Sequence, residues 1–457
     1  MSAQSKATYT TETIPDPGIR ELLGRDARWQ AWLDVEANLA RAQAGLGMIP
    51  EAAAKEISTK ARLELLDRAR IEEGLRRTGH PLVPLVWELS RVCAEQGAKY
   101  VHWGATTQNI VQTGDLLQLR KVHGIFLRQL GEILEAMGAL AARSHDMALP
   151  GRTYGQHAVP LTFGYKVAVW IDEVCRHVER LRGVEPRVFV AMLGGAVGSF
   201  ASFGAQGIKL QARLAELLDM RPMTVPARTL ADHQAEYVCL LGLLAASSAK
   251  IAQEVYTLMK QEFGEVEEPV PEGAVGSSTM PQKRNPVLCQ DIMAGAARIK
   301  ALVPLALEAM QVEHEADRGR SLMIREATHQ ACEAMGDVLA RLGVVMGGLR
   351  LNPERMRRNL DLTDGLIMGE ALMLSLGERI GRQEAHDVVY EAAQAAAVTG
   401  GSFRELLLAD ATVSEHLNEQ EVERLLDPLA YTGLCSQIAT EQAARARETA
   451  AELLAQD

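Results

Sequence analysis

Residues 273–286, GAVGSSTMPQKRNP, gather hydrogen-bond donors in a chain otherwise rich in helix formers. The glycines let the backbone approach a ligand and expose amide hydrogens. Ser277 and Ser278 add hydroxyls, Lys283 a point charge, and Asn285 a group that both donates and accepts. A helix starting after Pro286 is expected to aim its positive end at this loop. The stretch reads as an anion-binding loop, or else as a mobile Gly/Ser surface loop of a common kind. Two further polar stretches stand out, HWGATTQNIVQTG at 102–114 and PGRTYGQH at 150–157.

The remaining residues supply long helices to position these stretches. Leu116, Leu119, Val122, Phe126, Leu130, Ile133, Leu134, Met137 and Leu140 recur at 3/4 spacing, which predicts a helix from Asp115 to about His145. Long helices are also expected over 161–182 (stopped by Gly183 and Pro186), 230–263, 286–311 and 324–348. Helices of that length need partners along their whole extent, so the expected fold is all-α, a bundle that self-associates. The pattern divides into an N-terminal helical domain at 1–110, a central long-helix bundle at 111–361 and a C-terminal helical domain at 362–457.

A net charge of −11 without a Lys/Arg block argues against nucleic acid. The six dispersed cysteines form no CxxC pair and no zinc spacing, which fits a reducing cytoplasm and implies no metal. No phosphate-cradling P-loop or dinucleotide fingerprint appears, so no cofactor is expected. The longest apolar run, near 238–246, falls short of the roughly 20 residues that span a bilayer.

GSSTMPQKRNP resembles the GSSxMPxKxNP signature of the fumarase/aspartase superfamily, and HWGATTQNIVQTG and GRTYGQHAVPLTFG resemble segments of its carboxymuconate cycloisomerase and adenylosuccinate lyase branch. RMRRNLDLTDGL and LLDPLAYTG are similar to stretches of the cycloisomerase group. The resemblance spans nearly the whole chain. It implies an all-helical homotetramer in which three polar segments from three subunits assemble each active site. It also implies that Ser277 is the base that removes the proton beside a carboxylate, giving an enolate. Lys283 and Asn285 then hold substrate carboxylates, and Thr106, Thr107, Thr153 and Gln156 match further binding positions. Ser278 belongs to the same loop, and Arg325 is a nearby cation suited to a carboxylate. An ordinary serine is far too weak an acid to ionise at neutral pH, so the loop must help it.

The sequence departs from the pattern at informative points. Tyr154 stands where adenylosuccinate lyases carry a histidine, and a reference pKa of about 10 makes tyrosine a reluctant acid. His157, His102 and His80 lie in or near the polar stretches, and His157 is the preferred substitute acid. Asn109 and Gln112 replace two acids. This suggests a substrate more anionic than a simple dicarboxylate, or else a rearranged solvated hydrogen-bond network. No Arg-Tyr pair opens the chain, and His314-Glu315-Ala316 lacks the expected arginine, which argues against a nucleotide. The leading expectation is a cycloisomerase-like lyase or isomerase of a small polycarboxylate. The alternatives are an epimerase of an N-substituted aspartate of iminodisuccinate type, an adenylosuccinate lyase, or a non-catalytic scaffold.

Overall fold

The structure, a computed structural model, describes residues 14–270 and 279–455. The fold is all-helical as expected, with only short two-stranded pairs beside the helices. Eight helices position the polar stretches: α1 (Arg25–Gly45), α2 (Val83–Val92), α3 (Thr107–Arg143), α4 (Phe163–Val188), α5 (Asp232–Leu258), α6 (Val287–Glu308), α7 (Arg318–Gly348) and α8 (Cys435–Leu454). All nine apolar residues of the predicted α3 stripe are at most 2% exposed. They face one large cluster shared by α1, α3, α4, α5, α6 and α7.

The helix ends moved for local reasons. α3 starts eight residues before the predicted Asp115, because Thr106 and Asn109 form a capping box and draw the second half of the polar stretch into the helix. α7 begins at Arg318 because the Asp317 carboxylate accepts from the amides of Gly319 and Arg320. α4 runs through Gly183 and Pro186. Val184 and Val188 are fully buried, and the Arg187 guanidinium donates to the Gly183 carbonyl at 2.9 Å. Packing there outweighs the stop signals.

Residues 148–162 are not a simple break. Strands β1 (Ala148–Thr153) and β2 (Gln156–Thr162) pair as a hairpin. Its two central residues, Tyr154 (φ 54°) and Gly155 (φ 78°), both lie in the left-handed region, as a two-residue hairpin turn of type I′ requires.

α5 is long and apolar enough, by length and composition, to cross a bilayer. Here it packs against α4, α6 and α7. A separate cluster around Leu372, Leu376, Phe403, Leu407 and Val422 forms after residue 362. The last helix, α8, leaves that cluster and returns to α3 and α4, where Ala443, Ala446, Ala450 and Leu453 join the main core. Gly138 of α3 permits the crossing: a side chain there would sit 3.1 Å from the Ala443 carbonyl oxygen.

Candidate active site

A cleft of about 510 Å³ opens at the start of α3. His80, Thr106, Thr107, Gln108, Arg228 and Arg325 are among its walls. His80 Nδ1 accepts from the amides of Leu82 (3.3 Å) and Val83 (3.1 Å) at the first turn of α2. The ring proton therefore sits on Nε2, which is 3.4 Å from Thr107 Oγ1. Burial lowers the pKa of His80, with His102 adding to the effect, so a neutral imidazole presents an N–H donor.

His102 behaves in the opposite way. Burial opposes its charge, but the charge and hydrogen bond of Glu36, at 2.6 Å, outweigh that and raise its pKa. This pair holds the loop; it is not placed as a free acid.

Arg228 is fixed by Gln108. Its Nε donates to Gln108 Oε1 (2.9 Å), its Nη1 donates to the Ala196 carbonyl (2.8 Å), and Gln108 Nε2 donates back to the Arg228 carbonyl (2.9 Å). Burial lowers its pKa, and no carboxylate counters that. Among the described residues, neither Arg228 nor Arg325 has an ion-pair partner. Arg325 was expected here from the sequence; Arg228 was missed, because nothing around it in PARTLAD signals a site.

Asn109, expected to touch substrate, is fully buried. Its Oδ1 accepts from the amides of Thr106 and Gly195, both at 3.1 Å, so it locks the α3 cap to the neighbouring loop. In this chain its side chain is thus engaged with backbone and is not among the residues that line the cleft. Gln112 is 8% exposed, so neither amide belongs to a solvated network.

The second donor-rich region lies at the hairpin. Arg152 forms a double ion pair with the buried Glu265 (2.6 and 3.1 Å) and stacks its guanidinium 4.8 Å from the Phe263 ring centroid. Asn359 Nδ2 donates to the same carboxylate at 2.7 Å. This clamp presents Thr153, Gln156 and a fully exposed Tyr154 at the hairpin tip. His157 pairs with Arg152 across the strands. Its Nδ1 is buried without a partner among the described residues, and burial, followed by the Arg152 charge, lowers its pKa.

Next to this clamp is the base of the Ser277 loop. Ser277 and Ser278 lie outside the described residues. Lys283 is exposed and Asn285 half-exposed. The positive end of α6 does not point freely at the loop as expected. The buried Glu268 carboxylate occupies it, accepting from the amides of Leu288 and Cys289, both at 3.0 Å. The Arg284–Glu267 pair at 3.0 Å closes the same base. Cys289 is a packed thiol, its pKa pushed far up by burial and then by Glu268.

The two regions sit far apart in one chain. α3 has 37 residues, about 55 Å at 1.5 Å per residue, with the cleft at its start and the hairpin after its end. The 22 residues of α6 separate Asn285 from the cleft by about 33 Å, since α6 ends where Arg320 of α7 pairs with Glu308. No group of His, Cys, Asp and Glu suited to a metal ion occurs among the described residues.

The chain is thus a helical bundle with a donor-rich region towards each end, and known proteins match it along most of its length. A family model described as Lyase matches residues 12–300, and one described as Adenylosuccinate lyase C-terminus matches residues 365–441. N-acetyl-S-(2-succino)cysteine lyase of Enterococcus italicus is 38% identical over 418 residues, 92% of each chain. Adenylosuccinate lyase of Methanothermobacter thermautotrophicus is 38% identical over 420 residues, 91% of this chain and 94% of its own. The crystal structure of 3-carboxy-cis,cis-muconate lactonizing enzyme from Pseudomonas putida matches with a TM-score of 0.87 at 34% identity, covering 97% of this chain and 99% of that one. The chain belongs to the fumarase/aspartase superfamily of lyases and cycloisomerases, and it is an enzyme of that group rather than an inert scaffold.

Proposed function

We propose that this enzyme removes the proton beside a carboxylate of a small, non-nucleotide polycarboxylate with a succinyl-type unit. The neighbouring C–O, C–N or C–S bond is then broken or formed through a dianionic enolate. One observation carries the reading: each chain holds two incomplete donor-rich regions tens of ångströms apart, one of them with two arginines that have no ion-pair partner among the described residues. A homotetramer in the reducing cytoplasm, bringing one chain's hairpin tip and Ser277 loop to another's cleft, completes the site. All six cysteines are free, which fits that compartment. Val169, Leu243 and Leu307, exposed on α4, α5 and α6, suit such contacts.

In this site Ser277 takes the proton, and Lys283 and Asn285 with the loop amides steady the carboxylate as charge develops. Ser278 adds a donor. Thr106, Thr107, Thr153, Gln156 and Arg325 orient the succinyl unit, and Tyr154 and His157 face the leaving group. No Phe, Tyr or Trp lines the described cleft to stack a purine, which speaks against adenylosuccinate.

A second outcome is favoured by His157. Its depressed pKa leaves it short of a proton at neutral pH, so the intermediate can be reprotonated on the other face, giving epimerisation of an N-substituted aspartate.

Incubation in deuterated water with N-acetyl-S-(2-succino)cysteine, 3-carboxymuconate, iminodisuccinate and adenylosuccinate separates the outcomes by NMR. Fumarate release marks a lyase, lactone a cycloisomerase, and deuterated, inverted substrate an epimerase. Ser277→Ala should lower turnover of the true substrate by about 10²–10⁴-fold. Near-normal turnover by that variant, or a preference for adenylosuccinate, overturns the reading.

A further inference from the structure

Behind Thr107, one turn further along α3, the cleft continues into a chamber of about 70 Å³. Gln108, Val111, Arg228, Ser321 and Arg325 line both spaces, so the chamber is an extension of the cleft. At about 30 Å³ per water in the liquid, its volume suits a group the size of a carboxylate. Gln112 forms part of its wall. That side chain is more than nine-tenths buried, its Oε1 accepts from Gln108 Nε2 at 3.0 Å, and its Nε2 has no partner among the described residues. A buried amide donor left unpaired costs about 1–3 kcal/mol, so a ligand acceptor there relieves a standing penalty.

The charges agree. Arg228 and Arg325 line the chamber without ion-pair partners among the described residues. Arg320, also in the wall, is neutralised by Glu308 at 2.6 Å. One carboxylate is present: Asp115, engaged by Arg28 at 4.0 Å and by Trp32 Nε1 at 3.3 Å, and also within electrostatic reach of Arg325. With Asp115 shared between Arg28 and Arg325, the balance stays positive, and Arg228 and the amide N–H face the space with no acid countering them. Gln108 sets the geometry by holding Arg228 at both its side chain and its carbonyl.

We propose that this chamber is a subsite for an additional substrate carboxylate, beyond those of the succinyl unit, with Arg228 and the Gln112 amide as its own ligands and Arg325, which lines both spaces, shared with the succinyl unit. The assignment rests on the polycarboxylate function proposed for the enzyme and names its substrate class: tricarboxylates or larger. Glutamine at 112 is then a specificity residue, since an acid there would face the incoming carboxylate at close range.

The test is calorimetric binding of propane-1,2,3-tricarboxylate, succinate and inorganic phosphate to the assembled enzyme. The wild type should bind the tricarboxylate about 10-fold or more tighter than succinate. Gln112→Glu should erase that advantage while succinate affinity stays within about 2-fold, which also reports that the variant is folded, and Arg228→Met should weaken the tricarboxylate more than succinate and so erase the advantage too. Equal affinity for the two in the wild type, an advantage kept in both variants, or phosphate binding tighter than the tricarboxylate would overturn the assignment. Ser277→Ala should keep the tricarboxylate advantage. If that variant also keeps turnover, the catalytic reading fails while the subsite stands on its binding data.

Discussion

At the scale of single residues, the two amides that replace acids have separate jobs. Asn109 uses its oxygen on two backbone amides and leaves Nδ2 buried without a partner among the described residues. Asn109→Asp keeps both accepted bonds, places the charge at a helix N-terminus and removes the orphaned donor. The expected result is an unchanged KM and a melting temperature no lower than that of the wild type; a KM raised several-fold would return Asn109 to the substrate. The histidines split in a similar way. His177 donates to Ser247 Oγ at 2.8 Å, and burial, then Arg180, holds its pKa down at about 4. Its unfolded pKa is near 6.5, so stability should fall as pH drops from about 6.5 towards 4, because only the unfolded chain takes the proton. His102 has a raised pKa, so its contribution is complete below about pH 6.5 and is lost as pH rises through its folded value. Melting temperatures between pH 4 and 8 check both signs: His177→Gln should flatten the acid limb, and His102→Gln the neutral-to-alkaline one.

At the scale of elements, the chain's punctuation was legible but its long-range ties were not. Pro281, Pro286 and the glycines marked the loop, and the apolar period of α3 marked its buried face residue for residue. The hairpin escaped notice because its turn carries Tyr154 at positive φ, where Asn-Gly or Asp-Gly is the usual signal. Glu268 escaped because its partners, Leu288 and Cys289, lie 20 and 21 residues away and contribute only backbone amides, which have no sequence signal. The acidic run EVEE at 265–268, just before the loop, carries no pattern that distinguishes a helix-capping carboxylate from a solvated one. The Glu268 staple ties the residues on either side of the Ser277 loop to one point. Glu268→Ala removes two charge-assisted bonds and leaves the first turn of α6 uncapped. It should cost about 1–3 kcal/mol in denaturant unfolding and lower kcat more than it raises KM. Glu268→Gln keeps one strong acceptor and should fall between. Wild-type kcat in the alanine variant would show that the loop needs no anchor.

At the scale of the whole molecule, helix length decides what one chain cannot do. About 55 Å of α3 lies between the cleft and the hairpin, and about 33 Å of α6 between the cleft and Asn285, which supports the proposal that the two regions meet between protomers. Sites built across subunits make a quantitative prediction from symmetry alone. Take one variant defective in the loop, Ser277→Ala, and one defective in the cleft, Thr107→Val combined with Arg325→Met. Each alone should be nearly inactive. Co-refolded in equal amounts, they assemble at random, and a site works only when its loop comes from the cleft variant and its cleft from the loop variant. Each choice has even odds, so activity should recover to roughly a quarter of the wild-type level. Pairing Ser277→Ala with Lys283→Met should recover nothing, because every loop then carries a defect whichever chain supplies it. Recovery in that control would mean that Ser277 and Lys283 serve a site from different chains. No recovery in the crossed pair, despite mixed oligomers seen by native mass spectrometry, would mean each chain completes its own site. The length of α3 would then need another explanation.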